Sequence, residues 1–155
     1  MTGQMKWILR SGAFLVFVFC LVSCSKDKFT TKPQLRLKKV GSNTVPRGGL
    51  ISFVIEFTDK EGDLTDSIWI ESRTTRCVQS NRVLTYAVPA FPTNANVKGE
   101  FEINFVNGQF LPGFVALPGP ACGQPDTTTF FFWIRDKAQN ISDTIRTNEP
   151  IIILN

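Results

Sequence analysis

The sequence predicts an all-β domain, a sandwich of two antiparallel sheets, and three observations carry that expectation. Apolar residues recur with a period of two over short runs. Gly, Pro, Asn and Asp gather between the runs, and past Pro33 no stretch shows helical spacing. Eight such runs suit a layered architecture with one core rather than an open sheet.

Taken in order, the first run is 34–40, where Leu35 and Leu37 alternate with Arg36 and Lys38. That is a strand with a wet outer face rather than a phosphate-binding patch, and nucleic acid is not expected as a partner. Ile51, Phe53, Ile55 and Phe57 form the second strand, alternating with Ser52, Val54 and Glu56. In the third, 66–72, Ile68 and Ile70 share one face while Ser67, Trp69 and Glu71 share the other. Further strands are expected at 83–88, around Phe101, Ile103 and Phe105, and at 128–135, 141–146 and 151–154.

Ahead of this domain, Lys6 and Arg10 precede an apolar stretch of about a dozen residues that ends in Leu21-Val22-Ser23-Cys24. The stretch is shorter than the roughly 20 residues that span a bilayer, and polar residues follow at once. Leu21 to Cys24 resembles a lipobox, and the chain is thereby identified as resembling a bacterial outer-membrane lipoprotein. The resemblance implies a signal peptide over 1–23, cleavage before Cys24, lipid on its thiol and a lipidated tether over 24–33, with the sandwich over 34–155. The membrane is then a partner through the lipid on Cys24. Ser25-Lys26-Asp27-Lys28 is similar to the short charged cluster behind the lipidated Cys of surface-exposed lipoproteins, and this favours surface display over the periplasmic face. Removing 1–23 removes two of the 17 basic residues and none of the 13 acidic ones, which leaves 15 against 13.

The turns at 57–63 (Phe57-Thr-Asp-Lys-Glu-Gly-Asp63) and 133–140 (Trp133-Ile-Arg-Asp-Lys-Ala-Gln-Asn140) resemble those of bacterial immunoglobulin-like and fibronectin type III-like modules. The resemblance implies a single immunoglobulin-like sandwich. In that topology the two turns lie side by side at one end, so that Asp59, Glu61, Asp63, Asp136 and Asn140 present oxygens from two loops to a possible Ca²⁺. Gly62 follows Asp59 by three positions and no Glu closes a twelve-residue loop, which excludes an EF-hand. The other reading of the same residues is solvated turn chemistry, since Asp, Asn and Gly are what turns use. No other cofactor is implied.

Four cysteines are present; the lipobox resemblance implies that Cys20 leaves with the signal and Cys24 carries lipid, so Cys77 and Cys122 remain and are expected to bridge in an oxidising compartment. The chain contains no histidine, which removes Ser/His and Cys/His nucleophilic catalysis. An enzyme is not expected. The alternative is a small acid-based envelope hydrolase using the carboxylates Asp59, Glu61, Asp63 and Asp66.

Between 107 and 125 runs a Pro-rich stretch holding Phe110, Leu111, Phe114, Val115 and Leu117. Two readings stand: a stiffened apolar platform for a partner, or side chains folded back over the core. The function these features favour is a membrane-anchored, non-catalytic binding or assembly module that presents its sandwich to a protein or glycan. A purely structural spacer is the other non-catalytic possibility.

Overall fold

The computed structural model describes residues 29–64, 67–90 and 94–155, so Cys24, the expected signal over 1–23 and Asp66 lie outside the described residues. The strands are β1 (Gln34–Val40), β2 (Thr44–Val45), β3 (Leu50–Asp59), β4 (Ser67–Thr74), β5 (Arg82–Ala87), β6 (Val97–Asn107), β7 (Val115–Leu117), β8 (Asp126–Arg135), β9 (Ile145–Arg146) and β10 (Ile151–Ile153). They form two sheets, one ordered β1-β3-β6-β7 and the other β2-β10-β8-β4-β5, with β9 also pairing β8. In position, β1, β3 and β6 are the A, B and E strands of an immunoglobulin-like sandwich, and β4, β8 and β10 are C, F and G with β5 as C′.

Period-two alternation explains which residues enter the core. Ile51, Phe53 and Ile55 on β3 are fully covered, as are Phe105 on β6 and Phe132 and Ile134 on β8. Phe53 sits at the centre, with ring centroids 4.9 Å from Phe130, 5.0 Å from Phe132 and 6.4 Å from Phe105. Each such side chain removed from water contributes about 1.5–3 kcal/mol, so this aromatic cluster is a large share of what holds the sheets together. Ile68 and Ile70 face inward on β4, and Trp69 faces out.

On the outer side of the first sheet Glu56 is surrounded by cations: Arg36 at 2.8 Å and Lys38 and Lys98 each at 3.5 Å. Burial alone would raise its pKa, but the Arg36 hydrogen bond and the three positive charges hold the carboxyl below its ordinary range. Arg36 and Lys38, the basic residues on the wet face of the first strand, are thus engaged within the sheet.

Three local departures from the expected strands have visible causes. The sheets are not wholly antiparallel, because β2 runs parallel to β10 and β7 parallel to β6. The buried Asn107 amide supports this corner, donating to Val45 O at 3.2 Å and Leu154 O at 2.8 Å. The run expected over 141–146 pairs with β8 as a strand only at Ile145 and Arg146, apart from one bridge from Ile141 to Arg135. Its interruption is at Ser142, whose hydroxyl accepts the Ile134 N–H at 3.0 Å and donates to Asp143 O at 3.0 Å in place of a continuing ladder.

Cys77 and Cys122 are bridged, with Cα atoms 5.7 Å apart. The bridge and the acidic turns sit at opposite ends of β8, whose ten residues correspond to roughly 33 Å of extended chain. The described chain begins at the acidic end, where Lys60 N–H donates to Thr30 O at 3.3 Å.

Candidate functional site

The sandwich is open along one side because β7 is short. It pairs with β6 only at Phe105, Val106 and Asn107, so β6 from Val97 to Asn104 has no outer strand partner among the described residues. On the facing sheet β5 is the outermost strand. Between these two edges lies a cleft of about 420 Å³, lined by Ile68, Tyr86 and Val88 from one sheet side and by Phe101, Ile103 and Phe105 from the other. Glu100, Glu102 and Asn104 border it. Tyr86 packs its ring 6.2 Å from Phe105, and burial pushes its phenol pKa up.

The stretch 107–125 closes one end of this cleft. Leu111-Pro112-Gly113-Phe114 carries the Pro-Gly chemistry of a type II turn, with Gly113 at φ 85° and Phe114 N–H donating to Leu111 O at 3.1 Å. That turn lays Phe114 and Val115 against the cleft, where both stay partly open to solvent. The two sequence readings therefore divide between residues. Leu117 is 4 % exposed and joins the core, whereas Phe110 is 83 % exposed and Leu111 is also exposed. Leu117 thus leaves the expected platform because β7 carries it inward beside β6.

At the other end, Asp59 closes β3 and Asp136 follows β8. The β3–β4 turn doubles back at Gly62, whose φ of 73° and contact with Asn94 leave no room for a Cβ. This tight return brings the Gly62 and Asp63 N–H groups onto Asp59 Oδ2 at 2.6 and 3.2 Å. Burial pushes the Asp59 carboxyl pKa up; those two N–H groups oppose the shift, while Asp63 and Glu61 add to it. Asp63 Oδ2 accepts the Ala138 N–H at 3.3 Å, which docks the two turns on one another.

One carboxylate oxygen from each of Asp59, Asp63 and Asp136 lies within 4.8 Å of the others. The remaining two residues of the expected ligand set are placed differently. Glu61 is exposed and outside the cluster, because the turn directs its side chain to solvent. Asn140 gives its backbone and amide N–H groups to Asp136 at 2.7 and 2.8 Å, so it orients that carboxylate. For glycoside hydrolysis, two acids must stand about 5 Å or more apart across a substrate. Of the clustered carboxylates Asp59 and Asp136 are covered, which leaves those two no open face toward a substrate.

A third feature lies on the outer face of the β8 sheet. Trp69 and Trp133 pair across β4 and β8 with rings parallel to within 3° and centroids 6.3 Å apart. Arg135 lies 5.0 Å over Trp69, and Arg73 lies 4.4 Å over Phe131. Sequence reasoning did not single out this face, although alternation through Phe131, Trp133 and Arg135 would have located it.

No family model matches the chain. No curated protein sequence matches it either. Among solved structures it is similar to the sporulation control protein Spo0M from Bacillus subtilis, with TM-score 0.44 and 7% identity over 81% of this chain and 51% of that one. It is also similar to a Niemann-Pick type C2 protein from Japanese carpenter ant, with TM-score 0.43 and 11% identity over 83% of this chain and 97% of that one. The chain spans about half the length of the first of these. Strand order in the two sheets, rather than this likeness, identifies the sandwich.

Proposed function

We propose that this chain is a lipid-anchored, non-catalytic binding module of the bacterial outer membrane, displayed at the cell surface, which receives an extended apolar segment of a partner protein. The observation that carries the reading is the apolar cleft beside the edge of β6 that has no strand partner among the described residues. An incoming strand would continue that sheet through main-chain hydrogen bonds and place alternate side chains between Phe101, Ile103 and Phe114. Pro112, Pro118 and the bridge at Cys122 stiffen the flanking loop, which lowers the cost of ordering it on binding. The lipobox ending at Cys24 supports the anchor.

Mass analysis of the mature N-terminus from the native host tests lipidation, and protease shaving of intact cells tests display. For the site, partner recovery by the native chain is compared with Phe114→Ser and Ile103→Asp. Loss of about tenfold or more is expected from both. Equal recovery by native and variant chains removes the cleft as the binding surface.

The parallel Trp69 and Trp133 rings favour a second reading, in which a glycan stacks on the outer sheet face. Trp133→Ala would then abolish retention on a glycan array while Phe114→Ser would not. The reverse pattern supports the cleft.

A further inference from the structure

Asp59 is an anomaly for a turn residue. It is 0 % exposed, and its Oδ1 has no hydrogen-bond partner. Asp63 repeats the pattern, with Oδ2 held by the Ala138 N–H and Oδ1 buried and unpartnered. Asp136, 1 % exposed, supplies the third carboxylate, fixed by Asn140. Among the described residues no ion pair reaches any of the three. Buried oxygens normally find donors, and buried charges normally find counter-charges. Two oxygens of this cluster, Asp59 Oδ1 and Asp63 Oδ1, have no donor, and among the described residues no counter-charge reaches the three carboxylates.

We propose that Asp59, Asp63 and Asp136 bind a calcium ion. The donors are all hard oxygens, and the chain has no histidine to draw a softer metal. Oxygens at about 2.3–2.6 Å from one Ca²⁺ lie up to roughly 5 Å apart, so the separation within 4.8 Å is compatible with three ligands of one ion. Water would complete a shell of about six to eight ligands, and the irregular arrangement suits Ca²⁺ better than Mg²⁺, which demands near-octahedral geometry and dehydrates reluctantly. Asn140 is a positioning residue, holding both oxygens of Asp136, and Glu61 is a bystander. The ion would pin the end of β3, the β3–β4 turn and the β8–β9 turn to one another, close to the contact of Lys60 with Thr30 where the chain enters the domain. This site is separate from the apolar cleft and does not depend on it.

The test uses the full chain in detergent, stripped with EDTA, then followed by thermal melting and calorimetric titration with CaCl₂ alone. At about 10 mM Ca²⁺, roughly 100-fold above the ~10⁻⁴ M dissociation constant of the tighter extracellular modules, the melting temperature is expected to rise by about 5–10 °C. Asp63→Asn is expected to melt at or above the native temperature in EDTA, because repulsion is relieved, and to lose the calcium shift with at least a tenfold weaker affinity. Asp136→Asn provides a second variant, and Glu61→Gln keeps the full shift. The proposal is overturned by native protein that shows neither a calcium-dependent shift nor binding heat. It is equally overturned by an undiminished shift in Asp63→Asn, or by an equal shift from Mg²⁺ at the same concentration.

Discussion

Asp126 Oδ2 accepts the backbone N–H of Cys77 at 2.6 Å, tying the first residue of β8 to the half-cystine that follows β4. The same carboxylate accepts the Arg76 N–H at 3.1 Å and the Thr127 N–H at 2.7 Å. Burial alone would raise the pKa of this acid, but the Cys77, Thr127 and Arg76 N–H groups and the Thr74 side chain bring it below its ordinary value. A carboxyl whose pKa is depressed by folding contributes stability above its unfolded value, and that stability is lost as pH falls through the folded value. Urea midpoints should therefore fall as pH drops below about 4. Asp126→Asn should cost about 1–3 kcal/mol at pH 7 and flatten the acid limb relative to the native chain. An unchanged midpoint at pH 7 would contradict this role.

Reducing the bridge between Cys77 and Cys122 releases a closed loop of 45 residues. On the chain-entropy account the loss is about 3–4 kcal/mol. Denaturation with and without a reductant, or with Cys77→Ser and Cys122→Ser combined, measures it. Retained stability in both cases would mean that the Asp126 contacts hold this end without the covalent link.

Phe53 contacts three other core rings, so Phe53→Ala should destabilise by about 3–5 kcal/mol, while Phe53→Leu should cost less. Val83 offers a contrast, being 57 % exposed on the outer face of β5, and Val83→Thr should stay within about 0.5 kcal/mol. Equilibrium unfolding of the three variants separates core from surface.

Gly99 lies opposite Phe57 across the β3–β6 pair, and a Cβ there would stand 2.6 Å from the Phe57 ring. That ring stacks on Phe101 at 4.5 Å, so it has little freedom to retreat. Gly99→Ala should destabilise by about 1–3 kcal/mol. It should also disturb the cleft wall at Phe101, read as a change in partner recovery. A stable Gly99→Ala chain with native binding would show that Phe57 can repack.

The long alternating runs were legible because their burial is local in origin. Residues 34–40 and the run from Ile51 to Phe57 match β1 and β3, and the outward position of Trp69 follows from the same periodicity. The bridge was legible once the lipobox resemblance set Cys20 and Cys24 aside, leaving one pair. β2 and β7 were not, since strands of two and three residues carry no period and depend on contacts such as those of Asn107. The cleft was hidden for a related reason: it exists because β7 begins only at Val115, opposite Phe105, a fact about pairing rather than pattern. At the acidic end the residue types pointed to the right turns. Which of Asp59, Glu61, Asp63, Asp136 and Asn140 face one another depends on side-chain direction within those turns, and composition does not encode it.

The passage of the chain from β1 to β2 bears on how the domain withstands force. β1 lies against β3 with Gln34 opposite Thr58, and after Gly41 the chain crosses to β2, which runs alongside β10. A load applied between the entry at Thr30 and the bridged end would run along the strands. It would strain the β1–β3 ladder in shear, with many bonds sharing the tension, rather than peeling them singly. The crossing to β2 acts as a second latch, so the same short segment that sequence patterns overlook would keep the module from unravelling under traction.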